Sequence, residues 1–231
     1  MSRAILIAAL LLTGAVAEAA ANDEMVIVMK SSGTPGKAGE LFVFVGEHLS
    51  YRPLNLSCDN CWVFDSWYAA RYRVAEWIHG APPGPELEFD VAEHAVNVPF
   101  GHSGYALVFV EVLGEKMALV KYAQVPVYPT ADGGFASCGP MGGAPREDGA
   151  PLDPKAPALR DIDFSPQLVV DDSRRMSAWG RARAYDPRWH EVIGNDVLCR
   201  RGVPVADLVS AMVRGDDLLK AALPDLAGAG K

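Results

Sequence analysis

Two cysteines in C-x-x-C spacing, Cys58 and Cys61, open the stretch LSCDNCWVFDSWYAARYRVAEWIHG and form the most reactive pattern in the chain. Such a pair performs thiol-disulfide exchange when a helix N-terminus or a nearby cation lowers the pKa of one thiol. Here Asp59 lies between the sulfurs, no lysine or arginine is nearer than Arg52, and no strand-turn-helix pattern frames the pair. A structural disulfide is therefore favoured over a redox centre. The remaining cysteines, Cys138 and Cys199, lack the close spacing of a zinc knuckle, and an oxidising compartment disfavours a four-thiolate site. Four cysteines in an exported chain point to two disulfides, and the sequence leaves three pairings open.

Other candidates are incomplete. His94 and His102 flank AVNVPFG beside Glu93, but their spacing fits no metal-ligand pattern, so they read as loop histidines. His190-Glu191 begins like H-E-x-x-H, yet position 194 is glycine, and His190 reads as a helix-surface residue. Ser103 in GHSGY lacks the strand-turn-helix setting of a nucleophilic serine. GGFASCGPMGG runs into a linker and not into a phosphate-binding helix. No catalytic residue, metal ligand or cofactor is assigned. Among Trp62, Trp67, Tyr68, Tyr72 and Trp77, most read as core, with Tyr72 sharing the inward parity of Val74. Trp67 and Tyr68, beside the cysteine pair, are the candidate ligand contacts.

The elements that must position these groups are mostly strands. Residues 1–21 read as a signal peptide and cleavage region, with Arg3, an apolar stretch and Ala15-Val16-Ala17, and cleavage near Ala17 leaves no stable membrane span. Residues 22–39 read as a flexible segment. Half the residues are hydrophobic, enough for a real core, and a net charge of −8 argues against nucleic acid as a partner. Between 40 and 138, ELFVFV supplies a first strand, Glu40 to Val45, bent at Gly46. ARYRVAE and PELEFDVAE alternate cleanly and are joined by HGAPPG, so an antiparallel pair sets arginines opposite acids. YALVFVEVLG is apolar throughout, as expected of a strand covered on both faces, and turns into MALVKYAQVPVY. The count is five or six strands. Residues 139–163 are rich in proline and glycine and read as a linker. In 164–231, Asp186 and Pro187 read as a helix start, and Val205, Leu208, Val209, Met212, Val213, Leu218, Leu219 and Ala222 have helical spacing interrupted at Gly215. This region reads as a helical C-terminal appendage.

The cysteine pair before RYRVAEWIHG, the YALVFVEV strand, GFASCG around Cys138, and Cys199 together resemble netrin-like domains, which include the tissue inhibitors of metalloproteinases. The resemblance implies a mainly β fold: a five- to six-stranded OB-like, netrin-like closed barrel over 40–138 with C-terminal helices. It also implies pairings of Cys58 with Cys138 and Cys61 with Cys199. The inhibitors of that family begin with a metal-chelating cysteine; a mature chain starting near Glu18 does not, so their mechanism is not carried over.

The resulting expectation is a periplasmic or secreted, non-catalytic binding protein whose partner is a protein or polysaccharide of the cell envelope or exterior. An envelope thiol-disulfide oxidoreductase using Cys58 and Cys61 is the alternative from another class. A secreted inhibitor or immunity-type protein shares the first architecture and differs only in its target.

Overall fold

The computed structural model describes residues 39–54, 65–81, 83–93, 104–141, 156–171, 180 and 185–228. The signal-like segment and its cleavage site lie outside the described residues, as do Cys58, Cys61, Trp62, His94, His102 and Ser103. The chain is mainly β, with one six-stranded sheet and two C-terminal helices. The large sheet comprises β1 (Leu41–Leu54), β2 (Ser66–His79), β3 (Glu86–Glu93), β4 (Tyr105–Leu113), β5 (Lys116–Pro129) and β6 (Phe135–Ala136), in the order β3-β2-β1-β4-β5-β6. The sheet curls until β3 meets β5 through one parallel bridge, Asp90 to Ala118.

Two apolar layers follow from strict alternation along the same strands. Phe42 and Phe44 of β1, Ala106, Val108, Val110 and Val112 of β4, and Met117 and Leu119 of β5 face the concave side with Tyr72, Leu87, Phe89 and Val91. The intervening Val43, Val45, Leu107 and Phe109 face outward and are equally buried, because helix α1 (Val205–Gly215) lays Val205, Leu208, Val209 and Val213 over them. Helix α2 (Asp217–Ala222) adds Leu219, and the Asp216 carboxylate caps it by accepting from the amides of Leu218 and Leu219. Leu218, expected on the apolar face, is 81% exposed.

The strand pair read from alternation forms antiparallel with arginines facing acids, and its register sets Arg71 opposite Glu88 and Arg73 opposite Glu86. Arg71 and Arg73 reach Glu86 at 2.6 and 3.2 Å, and Arg73 also reaches Glu47 at 3.0 Å. These pairs are exposed and screened by solvent, so they tune register and do not hold the sheet. β1 does not stop at Val45; it continues through irregularities beside Gly46. A Cβ at Gly46 would lie 2.9 Å from the rings of Phe44 and Tyr72, so the bare backbone there lets both aromatics close over the bend.

The region from 156 onward departs from the expected linker and helical appendage. It forms β7 (Arg160–Asp161) and β8 (Val169–Asp171), then β9 (His190–Ile193), β10 (Asp196–Cys199) and β11 (Arg201–Gly202), before the helices begin. β8, β10 and β9 form a small sheet, and β11 pairs with β7. Asp186 and Pro187 start no helix. The Asp186 carboxylate accepts from the Arg188 amide and binds the Arg188 side chain, which turns the chain into a strand. Gly194 at φ 61° then closes a two-residue hairpin loop with Asn195.

Asp90 is the least comfortable group of the large sheet. It is 2% exposed, and its Oδ2 has no hydrogen-bond partner among the described residues. Burial lifts its carboxyl to about 6, with attraction from Lys116 and Arg52 opposing and repulsion from Glu88 assisting. The folded state therefore holds this proton more tightly than the unfolded chain does. Its contribution to stability is complete below about pH 4 and is lost as pH rises through about 6. Asp90→Asn should raise unfolding stability by about 1–2 kcal/mol at pH 7 and by nothing measurable at pH 4, as read by denaturant titration at the two pH values.

Candidate functional site

The C-terminal elements are stitched to the large sheet along one seam. Beyond β6, the Ser137 amide donates to Val203 O at 2.9 Å and the Gly139 amide to Arg201 O at 2.9 Å. The Ser137 hydroxyl accepts from the Val203 amide at 3.2 Å and donates to Gly139 O at 3.1 Å. The strands approach so closely that a Cβ at Gly202 would sit 1.7 Å from the Ser137 carbonyl oxygen. Gly139, at φ 78°, passes under the Trp189 ring, where a Cβ would lie 2.7 Å from the indole nitrogen.

The Cys138–Cys199 disulfide crosses this seam, joining cysteines at a sequence separation of 61. This pairing overturns the one implied by the family resemblance, in which each of these cysteines joined the C-x-x-C pair. The physical reason is the hairpin β9–β10, which brings Cys199 to the seam where β6 ends. His190, expected on a helix surface, is instead the cross-strand neighbour of Cys199, and its Nε2 lies 3.5 Å from the Cys138 sulfur. A disulfide sulfur carries no proton, so the hydrogen bond is donated by Nε2–H. Burial lowers the His190 pKa, against attraction from Asp186. The ring is therefore neutral at physiological pH.

The same seam borders a cleft of about 510 Å³. Its wall on the sheet side is Gln124, Val125, Pro126 and Tyr128 of β5. Its opposite wall is Pro140 and Met141 with Met212 of α1, and Ser137, Cys138 and His190 lie at the seam. Tyr122 stands at the rim. The register of β5 against β4 jumps from Leu119–Val110 to Gln124–Val108, so Val120 to Ala123 bow out opposite the single residue Phe109. Within that bulge Tyr122 has φ 65°, the left-handed region that costs a non-glycine residue about 1–2 kcal/mol, and its side chain is 59% exposed. The bulge also reverses the parity of β5. Gln124 turns inward, where its amide nitrogen donates to the Tyr72 hydroxyl at 2.6 Å and to the Tyr51 hydroxyl at 3.1 Å. The two hydroxyls also lie 3.4 Å from each other, completing a small buried network, and burial drives the Tyr72 pKa far upward.

Tyr68 is half-buried, packs on the concave core and makes an edge contact with Tyr51 at 6.0 Å. Trp67 is half-buried on the opposite face of β2. Neither lines the cleft. Tyr72 is fully buried, on the inward side read from its parity. The cleft residues come from four separate stretches, and within β5 only Pro126 marks an irregularity in sequence. Comparison with protein-family models, curated proteins and solved structures found no match. Architecture and the cleft thus carry the functional argument.

Closing a loop of this length by a disulfide stabilises by about 4 kcal/mol in the chain-entropy treatment. Replacing Cys138 and Cys199 together by alanine should cost about 2–4 kcal/mol, measured by denaturant unfolding of the two chains side by side.

Proposed function

We propose that this chain is a periplasmic or secreted, non-catalytic binding protein built on an OB-type barrel of netrin-like class, and that the cleft beside the Cys138–Cys199 seam receives a segment of a partner protein. The observation that carries this reading is the exposed Tyr122, held in a strained backbone conformation at the cleft rim. Strain of this kind persists only where the surrounding structure enforces it, and it clusters at functional sites. The ring of pairings, β1 with β2 and β4, β2 with β3, β4 with β5 and β5 back to β3, supports a five-stranded, partly open barrel of OB type. The export-type N-terminus supports the compartment, and a disulfide is compatible with it. No helix among the described residues is long and apolar enough to cross a membrane. The apolar and aromatic walls, with Gln124, Ser137 and His190 as the few polar groups, suit a large apolar side chain of a peptide better than a polysaccharide.

A second reading is favoured by one fact: Cys138 and Cys199 bond to each other and therefore not to Cys58 or Cys61, which lie outside the described residues. This returns the thiol-disulfide oxidoreductase to consideration. That reading requires a Cys58–Cys61 bridge in peptides mapped without reduction, and reduction of a substrate disulfide that is lost in Cys58→Ser. An inhibitor or immunity-type role remains a special case of the first reading, set by the partner.

Tyr122→Gly tests the leading reading. Relief of the left-handed strain should raise stability by about 0.5–1 kcal/mol, the flexibility of glycine in the unfolded chain offsetting part of the gain. The same change should abolish selection of peptides bearing large apolar side chains from a random displayed library. Peptide selection unaffected by Tyr122→Gly, or selection from a glycan array alone, would reject it.

A further inference from the structure

Cys138, His190 and Cys199 each present a potential ligand atom, and the three atoms lie within 4.8 Å of one another. We propose that reduction of the Cys138–Cys199 disulfide creates a binding site for a zinc-class divalent ion, held by the two thiolates and a ring nitrogen of His190, with its fourth coordination position open to the cleft. Zinc takes thiolates at about 2.3 Å and imidazole nitrogen at about 2.0–2.1 Å in tetrahedral geometry, so the sulfurs need only separate and turn around an ion placed between them. Three protein ligands and one open position are the arrangement of a metal site that still accepts an external group.

Two features keep the ligands together once the sulfur-sulfur bond is gone. His190 and Cys199 are opposite residues in the β9–β10 ladder, so their side chains share one face irrespective of the disulfide. Cys138 lies between Ser137 and Gly139, whose amides bond to Val203, just past β11, and to Arg201 on β11. The crosslink therefore joins backbones already held in place by hydrogen bonds. The imidazole is also free to change tautomer: its Nδ1 has no hydrogen-bond partner among the described residues, so the proton can move there and leave Nε2 to coordinate.

The redox step is a two-electron exchange with a dithiol reductant. One thiolate of the reductant attacks the Cys138 sulfur, which lines the cleft, while Cys199 is buried. The protein disulfide breaks, the reductant closes its own, and its two protons pass to Cys138 and Cys199. Binding of the divalent ion then releases those two protons to solvent. The oxidised chain is the metal-free form.

The test uses the full chain carrying Cys58→Ser and Cys61→Ser, so that no other thiol contributes. It is reduced with a phosphine, desalted without oxygen and titrated with cobalt(II). The expected result is a single tetrahedral site with thiolate-to-cobalt charge-transfer absorption, displaced by zinc and absent from the oxidised chain. His190→Ala should weaken it by about 100-fold or more, since even outer-shell partners are worth about 10–100-fold. A reduced chain without cobalt absorption, equal affinity in His190→Ala, or equal binding by the oxidised chain would overturn the proposal. Should reduction unfold the chain, zinc must restore its native circular dichroism; failure to do so also overturns it.

Discussion

Burial of both faces of β1 and β4 is the constraint on which the rest of the molecule depends. Val43, Val45, Leu107 and Phe109 point away from the concave core, so the curled sheet leaves an apolar outer surface that water would oppose. Helix α1 must return to cover it. That requirement explains why the C-terminal region is part of the core and not an appendage, and why a seam exists between β6 and β11. The disulfide fastens the seam, and the cleft is the space left where α1, β5 and the seam diverge.

Local pattern made some of this legible in the sequence. Strict alternation in ARYRVAE and PELEFDVAE determined which residues face inward, and a one-residue slip would have exposed Phe89 and Val91, so register followed from composition. The continuous apolar run of β4 signalled a doubly covered strand, and the spacing of Val205, Leu208, Val209 and Val213 signalled its helix. The hairpin β9–β10 was obscured because Asp186-Pro187 also resembles a helix start. The Ile193-Gly194-Asn195-Asp196 turn was the stronger signal, since only the hairpin needs a positive φ there.

The candidate site was far less legible. Cysteine connectivity is a long-range property, and nothing near Cys138 marks Cys199 as its partner. The bulge in β5 was hidden because apolar residues lie on both faces of that strand, and a reversal of parity leaves no gap in such a pattern. Gln124 is the exception: a polar side chain among valines finds its partners only if the strand shifts, as it does toward Tyr51 and Tyr72. Trp67 and Tyr68 stand out in sequence only by proximity to Cys58 and Cys61 along the chain, whereas the cleft forms by convergence of distant segments.

The bowed segment from Val120 to Ala123 also interrupts the row of amides and carbonyls along β5. A foreign strand cannot extend the sheet past that point in continuous register, which protects the edge against self-association. Whatever approaches this side must be recognised by shape and side-chain chemistry, without help from a generic backbone ladder.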